Sequence, residues 1–263
     1  MHAPNTAHAG PIDGMEPADL LSEMDTAGVS RCVVIPMMPP AGDMHGTNQA
    51  ALAMAKDRPD RFAVMGLFDL TSPEGAGRLA DWRSQPGMLG IRLAFLRDPN
   101  LGLLADGRLE WFWSAAESAR VPVMLLAPDM TAVIGRIAGG HPGLRLVVDH
   151  LNLHPTRAYD DLIPAIEPLL ALATHENVAV KASALPCWAP DPFPFPSVHD
   201  AIAGVVEAFG ARRVFWGSDL TRLPCSYSES VSMFTEALPF LGEDDKDWIM
   251  GKGVMEWLRW TPG

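Results

Sequence analysis

The sequence predicts an α/β fold, the (β/α)8 TIM barrel with its first strand missing or truncated. Two observations lead there. Short apolar runs alternate with amphipathic segments at intervals of roughly 30 residues, which is one strand, one helix and two loops. Several runs are apolar almost without a break, as in CVVI at 32–35 and LRLVV at 144–148. A strand apolar on both sides is covered on both sides, and that is the condition of a parallel sheet. No GxGxxG follows the first run, so a doubly wound open sheet is the weaker alternative.

Taken in order, the runs 31–35, 62–68, 88–93, 121–127, 144–149, 177–182 and 213–217 read as strands. The segments 18–27, 48–56, 74–82, 111–119, 130–138, 162–174 and 197–209 read as helices. Trp111 and Trp113 open one of these helices and read as core. A Gly or Pro stands between helix and strand in AGV at 27–29, RPD at 58–60, ARVP at 119–122, HPG at 141–143 and FGA at 209–211. It stops the helix and lets the chain re-enter a buried strand. Residues 1–15 are too polar and too rich in Pro and Gly to supply a further strand. Either the barrel lacks its first strand or the chain as given starts downstream of it. Residues 1–263 read as a single domain.

Composition narrows the function. The 20 Lys and Arg against 32 Asp and Glu leave a net charge of −12, and no basic cluster stands out that could follow a phosphate backbone, so nucleic acid is a poor partner. The longest apolar runs fall far short of the roughly 20 residues that cross a bilayer. No basic-then-apolar signal opens the chain. Three widely spaced cysteines, Cys32, Cys187 and Cys225, without a CxxC, suggest neither a disulfide framework nor a thiolate cage and fit a reducing cytoplasm.

In this architecture the reacting groups sit at the C-terminal ends of the strands. The polar residues there are Asp69, Arg92, Asp149 with His150, Lys181 with Ser183, and Asp219. His150 and Asp219 weigh most, because an imidazole and a carboxylate facing one mouth can activate a water or share a divalent cation. Each has a plainer explanation: a loop cap at Asp149–His150, and N-capping of the next helix by Asp219. His154 reads as a loop residue. Arg92 and Lys181 read equally well as buried ion-pair partners and as substrate contacts.

The runs RLVVDHLNLHP at 145–155, NVAVKASAL at 177–185 and FGARRVFWGSDLTRLP at 209–224 resemble the amidohydrolase-related (amidohydrolase 2) family of the metal-dependent hydrolase superfamily. So do AGVSRCVVIPM at 27–37, PDRFAVMGLFD at 59–69 and PGMLGIRL at 86–93. The resemblance implies a TIM barrel that hydrolyses lactones, amides and related bonds, or decarboxylates aromatic and unsaturated acids. By that likeness His150 matches the histidine of the sixth strand and Asp219 the aspartate of the eighth, while Arg92 and Lys181 fall where substrate carboxylates are held. The chain departs from the family at two places. No His-x-His is present, His2 and His8 being six apart, and Leu126 and Ala127 stand where a fifth-strand histidine is expected. No cofactor is therefore expected, unless a His-x-His upstream completes a site for a divalent metal such as zinc with His150 and Asp219.

Loops at 36–47, 95–108 and 186–197 would frame the mouth. The last carries Trp188, Phe193, Phe195 and five prolines, a stiff apolar wall that could cover a ring. The partner expected is a small molecule, a carboxylic acid, and homo-oligomer formation stays open. Three functions follow. The first is hydrolysis of a small carboxylated lactone or similar ester or amide, with Asp219 as general base, His150 orienting, and Arg92, Lys181, Ser183 and Trp188 binding. The second is a metal-supported decarboxylase of an unsaturated or aromatic acid. The third is a catalytically inactive barrel kept for binding.

Overall fold

The computed structural model describes residues 17–37 and 42–261. His2 and His8, and residues 38–41 of the loop expected at the mouth, lie outside them. The strands are β1 (Cys32–Val34), β2 (Phe62–Leu67), β3 (Met88–Ala94), β4 (Val123–Leu126), β5 (Leu146–Val148), β6 (Val178–Ser183) and β7 (Val214–Gly217). Each is parallel to the next, in chain order, so the sheet has the topology of a TIM barrel with one strand fewer. Among the described residues β1 and β7 are its edges. Five of the observed strands lie within their expected runs, and β3 and β6 extend theirs by one residue, to Ala94 and Ser183.

The helices are α1 (Pro17–Thr26), α2 (Met44–Asp57), α3 (Ala76–Leu79), α4 (Asn100–Ala105), α5 (Glu110–Ser118), α6 (Thr131–Gly140), α7 (Leu162–Leu170), α8 (His199–Phe209), α9 (Tyr227–Thr235), α10 (Glu243–Asp247) and α11 (Gly253–Leu258). The helix expected at 74–82 is broken: 3-10 turns at Pro73–Gly75 and Trp82–Ser84 flank the four residues of α3. Gly75 and Gly77 weaken helix propensity there by about 1 kcal/mol each. α4 lies inside the expected loop 95–108, and α9 to α11 follow β7, where no strong 3.6-residue stripe marks them.

Two apolar layers hold the sheet. The outer one joins the strands to the helices and contains buried Phe112, Trp113, Ile134, Ile166 and Ile202, with the half-buried Trp111 packed against it. The inner one is made by alternate strand positions, Ala63, Met65, Met124, Val147, Ala179 and Phe215, together with Leu258 and Trp260. Thus α11 and the residues after it fill the inside of the curled sheet. Two arginines hold that plug, Arg145 just before β5 and Arg83 in the 3-10 turn that precedes β3. Arg145 Nη1 donates to the carbonyls of Glu256 (3.0 Å) and Trp257 (2.7 Å), and Arg83 Nη2 donates to that of Leu258 (3.1 Å).

The plug enters through a π-type turn at Trp248–Lys252 and a glycine. A Cβ on Gly253 would stand 2.9 Å from the Phe215 ring, 2.9 Å from the Trp248 carbonyl and 3.0 Å from the Arg212 carbonyl. Two of these three neighbours are backbone, which cannot swing aside. Gly253→Ala is therefore expected to destabilise the protein by about 1–2 kcal/mol, the clash outweighing the helix propensity gained. Chemical denaturation showing a stabilised variant would contradict this.

Candidate active site

At the ends of β5 and β6 the interior face continues past the apolar layer into charge. Asp149 comes two residues after Val147 and Lys181 two after Ala179, so both project to the same side as those core residues. Arg92 reaches them from β3. Asp149 is wholly buried, with Arg92 Nε donating to Oδ2 at 3.1 Å. Lys181 Nζ lies 2.8 Å from Oδ1, close enough for an ion pair though off the line of a hydrogen bond. Burial alone would raise the Asp149 carboxyl, but the charges of Lys181 and Arg92 outweigh it and hold it below the usual value. The Lys181 stem lies against Gly217 of β7, where a Cβ would meet Ser183 Cβ at 3.1 Å and Lys181 Cδ at 3.4 Å.

His150 follows Asp149 in a left-handed turn. His150, Leu151 and Asn152 all have positive φ, at 51°, 51° and 59°, each costing about 1–2 kcal/mol for a non-glycine residue. The surroundings hold the turn in place. Asn152 pairs with both backbone groups of Ala127, accepting from its N–H (3.0 Å) and donating to its carbonyl (2.9 Å), and also donates to Thr131 (3.1 Å). Leu151 is buried in the outer core. The turn aims the imidazole across the mouth, with Nδ1 2.7 Å from Ser183 Oγ and Nε2 3.7 Å from Asp219 Oδ2. With a carboxylate facing Nε2, the favoured neutral tautomer carries its proton there, and Ser183 then donates to Nδ1. Burial, only partly offset by Asp219, pushes His150 down to about 4, so it is neutral at pH 7.

Asp219 also sits at positive φ, 53°. It accepts from Arg222 Nη1 at 3.2 Å on the same Oδ2 that faces His150. Arg222 is itself fixed, donating from Nη2 to the Pro155 carbonyl at 2.7 Å and lying over the Trp188 ring at 5.4 Å. The helix-capping explanation for Asp219 fails: its side chain makes no capping bond to the turn Leu220–Arg222.

The structure thus brings Arg92, His150, Lys181 and Asp219 into one cluster. Ser183 is 1 % exposed, behind His150, and Trp188 is buried beneath Arg222, so neither side chain opens broadly to the mouth. Phe193 is exposed and makes an edge contact with the buried Phe195. Asp69 bonds its own neighbour Thr71, and His154 bonds Thr156. Neither Arg222 nor Asn152 stands out in the sequence alone. The only signal for either was its place within the DHLN and GSDLTR segments. The three cysteines are free, and burial pushes each thiol up to about 11, so none is a ready nucleophile at neutral pH.

A catalytic zinc takes three protein donors. Among the described residues no three of His, Cys, Asp and Glu are grouped to hold a metal ion. His150 Nδ1 is occupied by Ser183, Asp149 is neutralised by two cations, and Leu126 and Ala127 at the end of β4 are buried and apolar. These residues do not fit a zinc ion.

A model of the amidohydrolase family matches residues 7–253. The chain belongs to this family. It is accordingly an enzyme, an amidohydrolase-type hydrolase. It is 28 % identical over 215 residues to the L-fucono-1,5-lactonase of Burkholderia ambifaria, covering 77 % of this chain and 69 % of the relative. In fold it is similar to a zinc-bound amidohydrolase of Burkholderia multivorans, with a TM-score of 0.79 and 20 % identity over 98 % of this chain and 96 % of the other. It also resembles a probable 2-pyrone-4,6-dicarboxylic acid hydrolase of Acinetobacter baumannii with citric acid bound, with a TM-score of 0.70 and 19 % identity over 98 % and 94 %. No helix among the described residues of this amidohydrolase is long and apolar enough to cross a membrane.

The depressed His150 fixes a pH window. Its folded value of about 4 lies below the ordinary 6.5, so between these limits the unfolded chain binds the extra proton. Stability is full above pH 6.5 and falls as the pH drops towards 4, by about 3 kcal/mol. Asp149, also depressed, adds a further loss below its unfolded value of 3.8. Urea denaturation at stepped pH should show the first slope, and His150→Gln should flatten it; an unchanged slope in the variant would refute the assignment.

Proposed function

We propose that this amidohydrolase hydrolyses a small lactone that carries a carboxylate, with Asp219 as general base. The observation that carries the reading is the charge balance of the mouth. Arg92, Lys181 and Arg222 face Asp149 and Asp219 around a neutral His150, which leaves one positive charge in surplus. Such a surplus favours an anionic substrate. It also favours the oxyanion that forms when water adds to a lactone carbonyl, and the hydroxy acid that results. The lactonase relative supports lactone chemistry, and the likeness to the pyrone hydrolase is one of fold.

In this reading water lies between Asp219 and the Nε2 of His150. Asp219 takes its proton as the oxygen attacks the carbonyl, while His150 orients it. The negative charge on the carbonyl oxygen is met by Arg92 and Lys181, whose pairing with Asp149 keeps them rigid. The tetrahedral species then breaks its ring C–O bond, and the leaving oxygen receives the proton held by Asp219. Arg222 keeps Asp219 directed at the water. Trp188 acts through Arg222, and Ser183 through His150. The reading needs a single domain, a small-molecule partner and a reducing cytoplasm for the free thiols.

Proton release from a panel of aldonolactones and carboxylated lactones tests the proposal. Asp219→Asn should lower kcat by about 10²-fold or more with little loss of stability. His150→Asn should slow turnover as well, and Arg92→Met should raise KM for acidic substrates and lower kcat together, since it removes a charge partner of both the substrate and the oxyanion. Undiminished turnover in Asp219→Asn would end the general-base role.

Metal content is the second test. The purified active protein should hold well under one transition metal per chain after dialysis against chelator and should keep its turnover. One tightly bound metal per chain would favour a metal-supported mechanism instead.

A further inference from the structure

At the end of the sheet opposite the candidate active site, three arginines line one cavity of about 110 Å3. Its walls are residues 120–122 at the start of β4, residues 143–145 at the start of β5, and Arg259 just past α11. Arg145 is held from one side, by the carbonyls of Glu256 and Trp257 and by the Trp257 ring at 5.6 Å. Its Nε and Nη2, and the heads of Arg120 and Arg259, have no hydrogen bond or ion-pair partner among the described residues. Arg83 stands next to the group, bonded to the Leu258 carbonyl, with a buried Nε that has no partner.

These charges act on one another. Burial, and then Arg259, hold the guanidinium groups of Arg83 and Arg145 below their ordinary value. In a chain of net charge −12, the acid that offsets Arg145 is Glu256. A helix C-terminus does favour a cation, and Arg120 and Arg259 both stand just past helix ends. That explains each of them singly. It does not explain why they share a cavity with the half-used Arg145, or why both occupy positive φ, 53° in each case, where glycine is the easier residue.

We propose that this cavity binds a compact oxyanion of the phosphate class, free or as the terminal group of a small phosphomonoester, and that the bound anion clamps residues 253–260 onto the base of the barrel. Planar guanidinium forks match phosphate oxygens in pairs. The volume has room for several waters, and so for one tetrahedral oxyanion, but not for a nucleotide.

The test is thermal unfolding of the full chain in phosphate and in chloride at matched ionic strength, with calorimetric titration of inorganic phosphate and of glycerol 3-phosphate. Inorganic phosphate should raise Tm saturably, by roughly 4 °C or more at a hundredfold excess over Kd. Arg120→Gly combined with Arg259→Gly suits the left-handed backbone at both positions and should abolish the shift while leaving Tm in chloride close to that of the parent. Arg120→Ser alone should weaken binding at least tenfold. Arg157→Gln, at the distant surface pair with Asp129, should respond as the parent does. Binding of glycerol 3-phosphate as well as phosphate would identify a phosphomonoester site, and binding of phosphate alone a site for the free anion. An equal Tm rise in the double variant would mean general exclusion of a kosmotropic salt, and that result, or no heat of binding in the parent, overturns the proposal.

Discussion

The buried carboxylate of Asp149 is the contact on which the mouth depends. It has no exposure to solvent and is held between Arg92 from β3 and Lys181 from β6. A buried ion is tolerated when its charge is met, and losing one partner of such a set costs about 3–5 kcal/mol because the remaining charge is stranded. Two cations on one anion do more than pay that penalty. They leave positive charge over, fixed in direction and shielded from water, where a reacting anion would be met without reorganisation. The structural and functional readings of Arg92 and Lys181 are therefore compatible, since the ion pair is what positions them.

The same residue begins the strained turn. Three successive left-handed residues without a glycine would not persist alone. Here the side chain of Asn152 replaces a stretch of missing sheet by pairing with both backbone groups of Ala127, while Leu151 anchors the turn in the core. Strain at His150 is thus offset by burial of the next residue and by hydrogen bonds of the one after it. Its ring can then stand between Ser183 and Asp219, a place that regular strand geometry does not offer.

Much of this was legible in the sequence. The seven strands could be read because buried parallel strands are nearly continuous apolar runs bounded by Gly and Pro, and Arg92, His150, Lys181 and Asp219 because strand ends converge in such a fold. The rest depends on tertiary contact. That Asp149 bridges two cations follows from the register of β3, β5 and β6, not from any spacing in the chain. Arg222 acts on Asp219 across a 3-10 turn and is braced by Trp188 and Pro155, residues distant in sequence. Ser183 read as a substrate contact because it ends an interior run, but the left-handed turn brings His150 over it first. The helices after β7 are short, of 9, 5 and 6 residues, which leaves little length for a stripe to repeat.

The plug that fills the inside of the sheet also constrains how the chain reaches its native state. Residues 254–260 are translated after all seven strands, yet they cover the inward face of those strands, and Arg31 at the head of β1 meets Met255 across 224 residues of chain. Contacts of such long sequence separation close late and slowly. Until they form, Met65, Met124, Val147 and Phe215 line an uncovered apolar hollow on a nascent sheet whose edges among the described residues are β1 and β7. That interval on the ribosome and just after release is when this chain is most exposed to aggregation, and most in need of a chaperone.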